Sequence, residues 1–244
     1  MTYSKPWTAH VLTLFPNLFP GPLGHSLAGT ALERGLWSLK TVDIRNFARD
    51  KHGAVDDAPY GGGPGMVLRP DVAAAAIDSA LDDGGHSDRD LARICLTPRG
   101  LPVTQSRIQR WAAGAGVIVL CGRFEGIDQR VIEARAMEEV SVGDFVMSSG
   151  EPAAIALIDG CIRLLPGVVG NPDAVVEESF EHELLEYPHF TRPQLWQGKE
   201  VPAALMSGDH EWIKTWRRRE AERVTQERRP DMWQRYRLLN DRTN

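Results

Sequence analysis

The chain has 244 residues, 42% hydrophobic and 25% charged, with a formal net charge of −5. That is enough for one large domain, or for one of about 150–170 residues plus a small one, and the composition is that of a globular protein rather than a disordered, collagenous or disulfide-framed one. No stretch reaches the roughly 20 apolar residues of a membrane helix. The start, MTYSKPWTAHVLTLFPNLFPGPLG, carries four prolines after Lys5 and lacks the basic, apolar and small-residue sections of a signal peptide, so a cytoplasmic protein is expected.

In chain order, AHVLTLF (9–15) reads as a buried strand, and LAGTALERGL (27–36) as a helix with an apolar face at Leu27, Ala31, Leu32 and Leu36. WSLKTVDIR (37–45) alternates as a second strand, and DVAAAAIDSAL (71–81), after Pro70, predicts a helix. ARICLT (92–97) is a short strand, Thr104 can cap a helix to about Ala113, and GVIVLC (116–121) is the clearest buried strand. IDQRVIEARA (127–136) predicts a helix followed by a strand to Val142, and PAAIALIDGCIRLL (152–165) a long apolar helix with Pro152 in its first turn. Strands alternating with helices imply a parallel α/β sheet, whose ligands sit on the loops at the carboxyl ends of the strands. Three such loops stand out, after Leu96, Cys121 and Val142.

Beyond Pro166 turn formers and acids take over, which predicts a linker, and from Ser207 the chain reads as helical, with a further helix after Pro230. Between Lys214 and Arg237 nine basic residues face four acids, a local +5 that leaves −10 on the remainder. Such asymmetry fits either an RNA-facing surface or a solvated helix face laced with ion pairs. Trp212, Trp216 and Trp233 can stack on bases or pack between helices. Cys95, Cys121 and Cys161 are odd in number and widely spaced, so buried free thiols are expected and no structural metal site is predicted.

The loops carry the chemistry. PYGGGPGM (59–66) permits close backbone approach and positive φ, yet lacks the Lys-Ser/Thr of a phosphate loop; by itself it is as compatible with a turn as with a binding loop. LTPRG (96–100), CGRFEGID (121–128) and VGDFVMSSGEPAA (142–154) offer backbone N–H and C=O groups suited to an adenine edge and ribose hydroxyls. Glu125 can face a ribose or a sulfonium cation, or simply cap its loop.

DDAPYGGGPGM, LTPRG, CGRFEGIDQRV, VGDFVMSSGE, LIDGCIRLLPGVVG and LLEYPHFTRP, in this order, resemble the bacterial tRNA (guanine-N1)-methyltransferases, the TrmD family of the SPOUT superfamily. Each motif is weak alone, and the ordered set is highly specific and spans nearly the whole chain. The resemblance implies a parallel α/β sheet ending in a deep trefoil knot, an exception to the rule against threaded chains, over residues 1–169, a flexible linker over 170–177, and a basic all-helical tRNA-binding domain over 178–244. It implies an obligate homodimer with active sites shared between chains, S-adenosylmethionine as methyl donor, magnesium assistance, and a guanosine immediately 3′ of the anticodon as target.

Carried over residue by residue, the resemblance places Leu96, Thr97, Pro98, Gly100, Gly122, Phe124, Glu125, Gly126, Val142, Gly143, Asp144, Phe145, Val146, Met147, Ser149 and Gly150 at the cofactor. His52, Asp56, Tyr60 and Gly65 would face the tRNA. Arg163 takes the place of the arginine that stabilises charge on guanine O6; as a helix-end cation it is also favoured by the helix dipole. Glu178 stands where relatives commonly carry a catalytic aspartate, and Glu177 is the alternative base. Two other departures are Arg99 for a common glutamine and Ser149 for a common glycine. Another SPOUT RNA methyltransferase and a non-catalytic RNA-binding protein of that fold are the competing readings; a dinucleotide oxidoreductase is disfavoured because no GxGxxG follows the first strand.

Overall fold

The computed structural model describes residues 5–82, 91–170 and 178–241. The chain divides into two compact units, Met1–Gly170 and Asn171–Asn244. In the first, strands β1 (Trp7–Thr13), β2 (Trp37–Asp43), β5 (Leu91–Pro102), β6 (Gly116–Cys121) and β7 (Glu138–Ser141) form a five-stranded sheet. Its order is β2-β1-β6-β5-β7 and every pairing is parallel. Two-residue strands β3 (Asp56–Asp57) and β4 (Val67–Leu68) pair antiparallel beside it.

Strands β1 and β6 are buried at every position, which is why β6 reads as an unbroken apolar run; β1 buries Thr8, His10 and Thr13 as well. Their side chains still alternate between two cores. Trp7, Ala9 and Val11 of β1 and Val117, Val119 and Cys121 of β6 enter one. Leu12 of β1 and Ile118 and Leu120 of β6 enter the other. The first core is covered by α1 (Ser26–Glu33), α3 (Gln105–Ala112) and α5 (Glu151–Arg163), the second by α2 (Pro70–Asp82) and α4 (Gln129–Ala134). Helix α5 buries Ala153, Ala154, Leu157, Ile158, Cys161 and Ile162, a stripe at helical spacing; Leu157 and Ile158, at 1% and 0% exposure, each contribute about 1.5–3 kcal/mol.

Boundaries differ from the sequence expectation where caps intervene. The first helix ends at Glu33, short of 36, because Gly35 at φ +68 closes it: Gly35 N–H bonds Leu32 O and Leu36 N–H bonds Ala31 O, a Schellman pair. Helix α4 occupies only Gln129–Ala134 of the expected 127–136, since Asp128 caps it through Arg130 N and Ala136 takes φ +47. Thr104 caps α3 as expected, accepting from Arg107 N. Strand β5 runs on to Pro102, beyond the expected 97, because Leu96 and Leu101 both pair with Val140 and the residues between them loop out.

The second unit holds a two-residue β-hairpin, β8 (Leu195–Trp196) with β9 (Lys199–Glu200), so it is not purely helical. Helices α6 (Ala203–Met206), α7 (His210–Arg228) and α8 (Pro230–Asp241) follow. Asp209 caps α7, accepting from Glu211 N and Trp212 N. Buried Ala204, Ala221, Val224 and Met232 make a small core, and buried Thr225 accepts from Leu185 N while donating to Ala221 O. Among the described residues no helix is long and apolar enough to cross a membrane.

Candidate functional site

The carboxyl ends of the adjacent strands β6, β5 and β7 surround a cavity of about 240 Å³, near the lower bound of about 300 Å³ usual for ligand pockets. The structure brings together there Leu96, Thr97, Pro98, Gly122, Phe124, Glu125, Gly126, Val142, Gly143, Phe145, Val146, Met147, Ser149 and Gly150. Gly100 and Asp144 are not in its wall: Gly100 is wedged against β7 and Asp144 is exposed. Arg99, Arg123, Ile132 and Ser148 line it although sequence reasoning did not name them as ligand contacts; Arg99 and Arg123 lie inside the quoted motifs, which was the available signal.

The loops are pressed together by glycine. A Cβ on Gly100 would lie 2.2 Å from Val140 N, and one on Gly150 2.9 Å from the Cys121 Cα. Gly150 N–H bonds Gly122 O at 2.9 Å, joining the second and third loops. Ser149 is outside the described residues of positive φ, so that position does not require glycine. Phe124 does take φ +59 and is half exposed at the cavity; a strained aromatic of this kind is a mark of ligand-holding sites. Arg99 reaches across to Gln129 at 3.2 Å and Glu139 at 3.1 Å, fastening the first loop to α4 and β7. Cys95, also in the wall, has its thiol pushed up to about 12 by burial, with Glu139 adding to the effect.

The PYGGGPGM loop lies against this cavity. Gly61, Gly62, Gly63 and Gly65 all have positive φ. Glu125 N–H bonds Met66 O, Leu68 N–H bonds Gly126 O, and Asp128 N–H bonds Leu68 O, a zipper between loops some sixty residues apart. A Cβ on Gly65 would lie 2.4 Å from Cγ and Oε1 of Glu125. Of the expected tRNA-facing residues, Gly65 therefore lies against the CGRFEGID loop. Tyr60 is fully exposed, Asp56 lies in β3, and His52 is exposed in the turn before it. That turn is held by Asp50, which accepts from His52 N and Ala54 N and pairs with Arg69 at 2.5 Å; the Ala54 hydrogen bond leads the effects that lower the Asp50 pKa.

Arg163 is not in the cavity wall. It ends α5, and the first turn of that helix meets the cavity; the thirteen-residue helix spans about 18 Å from its first residue to its last. Glu178 lies in the second unit, directly before a strained turn in which Phe180, His182 and Glu183 all have positive φ. Ser179 Oγ in that turn accepts from Glu186 N. Glu177 and nearly all of the expected linker 170–177 lie outside the described residues.

The family model for tRNA (guanine-1)-methyltransferase TrmD matches residues 8–235. The chain belongs to the TrmD family. A tRNA (guanine-N(1)-)-methyltransferase of Bradyrhizobium diazoefficiens is 59% identical over 233 residues, covering 96% of this chain and 91% of that protein. The enzyme of the same name from Zymomonas mobilis is 55% identical over 236 residues, 97% and 93% of the two chains. That of Rhizobium johnstonii is 59% identical over 224 residues, 92% and 90%. As a TrmD-family chain, this protein presents three of its motifs, LTPRG, CGRFEGIDQRV and VGDFVMSSGE, on one cavity and its basic stretch on α7 and α8, where Arg218, Arg223, Arg229 and Arg235 pair with Glu222, Glu220 and Glu227, Asp231, and Glu183. Trp216 packs edge-on against Tyr187 and Phe190, Trp233 stacks on Tyr236, and Trp212 stays half exposed.

Proposed function

We propose that the protein transfers a methyl group from S-adenosylmethionine to N1 of the guanosine immediately 3′ of the anticodon of tRNA. The observation that carries this is the family match over nearly the whole chain, with the family's loops gathered on one cavity. The cavity's chemistry fits the donor: backbone groups at closely packed glycines suit the adenine edge, and Glu125 suits a ribose or a sulfonium. S-Adenosylmethionine supplies an electrophilic methyl carbon when bound there.

Guanine N1 carries a proton and is a poor nucleophile until that proton leaves, so transfer needs a general base and a donor to the charge that develops on O6. Glu178 takes the N1 proton, with Glu177 as the alternative, and Arg163 donates to O6. His52, Asp56, Tyr60 and Gly65 receive the guanine after it is splayed from the anticodon loop, at a cost of a few kcal/mol. The local +5 of α7 and α8 holds phosphates of the anticodon arm, which gives salt-dependent affinity. A trefoil knot in the first unit, a homodimer with shared active sites, magnesium assistance and a cytoplasmic location belong to the same reading. The decisive experiment measures methyl transfer from labelled S-adenosylmethionine to a tRNA transcript, with a control in which that guanine is adenine. Label in the first alone is expected; label in both would mean another target nucleotide.

A further inference from the structure

Behind the CGRFEGID loop lies a charged pair, one member of which, Glu151, is outside the cavity wall. Glu151, the first residue of α5, is 1% exposed. It accepts the Thr13 hydroxyl at 2.6 Å, and the same hydroxyl oxygen accepts from Phe15 N at 2.9 Å, so the end of β1 is fixed to the start of α5. Arg123, in the CGRFEGID loop, lies 4.0 Å over the Phe15 ring with Nη2 3.8 Å from Glu151 Oε2. Neither Glu151 Oε2 nor Arg123 Nε has a hydrogen-bond partner among the described residues. The two charges therefore face each other as charges, without the fork geometry that would make Arg123 a fixed clamp.

Arg123 also belongs to the cavity wall, and its side chain is 27% exposed. A guanidinium in that wall opposes a cationic ligand, and a buried carboxylate behind it cancels that field. S-Adenosylmethionine carries a sulfonium charge, whereas the product left after methyl loss, S-adenosylhomocysteine, is a neutral thioether at the same atom. We propose that Glu151 is a specificity-determining positioning residue: it neutralises Arg123 and so sets the preference of the cavity for the charged methyl donor over the neutral product. The inference rests on the cofactor reading above.

The test is calorimetric titration of the full-length protein with S-adenosylmethionine and with S-adenosylhomocysteine. In Glu151→Gln, which keeps the shape and removes the charge, the donor-to-product ratio of Kd should rise about tenfold, the size of a one-charge change seen across a partly screened separation. Arg123→Gln should move the ratio the other way, and the double variant should return it toward wild type. If Glu151→Gln weakens both ligands equally, or if Arg123→Gln leaves the ratio unchanged, the pair only shapes the loop and the proposal is overturned. Arg123→Gln reads the same effect should Glu151→Gln not fold. A wild-type protein that binds neither ligand would sink the cofactor reading itself, an outcome distinct from an unchanged ratio.

Discussion

Gly65→Ala probes the contact between the two loops that build the site. Gly65 has φ +85, and its missing Cβ would sit 2.4 Å from Glu125 Cγ and Oε1. Two costs follow and they appear in different assays. An L-residue in this backbone region loses about 1–2 kcal/mol, which for a unit of this size lowers Tm by about 2–8 °C. The Glu125 side chain must also swing away, and a lost hydrogen bond to a charged or polar ligand group is worth about 1.5–3 kcal/mol, or about ten- to a hundredfold in kcat/KM. Gly62→Ala is the matched control: φ is +78, and nothing lies within 4 Å of its Cβ. Both variants should lose similar Tm by thermal unfolding, and only Gly65→Ala should lose methyl-transfer activity on this scale. Equal activity losses would refute the reasoning, because the backbone conformation rather than displacement of Glu125 would then be the cause. A Gly65→Ala/Glu125→Gln double variant no worse than Glu125→Gln alone would place the two residues on one interaction.

Glu178→Gln should lower kcat by at least about a hundredfold, the usual contribution of a positioned base; full activity in Glu178→Gln would move the role to Glu177. Glu138 is opposed by burial, but hydrogen bonds from Arg107 and Arg110 hold its pKa below the ordinary 4.5. Its stabilisation is therefore present above about pH 4.5 and lost as pH falls through the lowered folded value, so the Tm gap between wild type and Glu138→Gln, worth about 1–2 kcal/mol after solvent screening, should be full at pH 7 and close under acid titration. All three cysteines are buried, and burial pushes Cys95 and Cys161 up to about 12 and Cys121 well above its ordinary value; thiol reagents at pH 8 should label none in the folded protein and three after denaturation. Chelation with EDTA should reduce methyl transfer if magnesium assists, and magnesium should restore it.

What the sequence showed plainly is what depends on short-range pattern. GVIVLC is a strand buried on both faces, as is the AHVLT part of AHVLTLF, whose strand runs Trp7–Thr13, and the loops after Leu96, Cys121 and Val142 meet because β6, β5 and β7 are neighbours in a parallel sheet. What it hid depends on partners distant in the chain. Strand β5 extends past 97 only because Val140 pairs on both sides of its looped-out residues. PYGGGPGM is by pattern as compatible with a turn as with a site; the hydrogen bonds of Met66 and Leu68 to the 125–128 loop are what bring it to the cavity. Glu151 is, by pattern, one more acid in SSGEPAA; its significance lies in 1% exposure and in the arginine 3.8 Å away, neither of which a one-dimensional pattern carries.

The placement of Arg163 links the remaining pieces of the proposal. Helix α5 has one end at the cavity and Arg163 at the other, about 18 Å along the axis, and the buried stripe from Ala153 to Ile162 packs the helix against the core. In the proposed reaction, an arginine set that far along α5 from the first turn is placed better for the cavity of a second copy than for that of its own chain. It can serve the cavity of a second copy, which is the arrangement the shared-site homodimer requires. Mixing Arg163→Ala chains with chains disabled at Glu125 should then restore up to about a quarter of the wild-type activity per site under random pairing, since half the dimers are mixed and each holds one intact composite site. No recovery on mixing, with exchange of chains demonstrated, would mean that Arg163 acts elsewhere and that another cation neutralises O6.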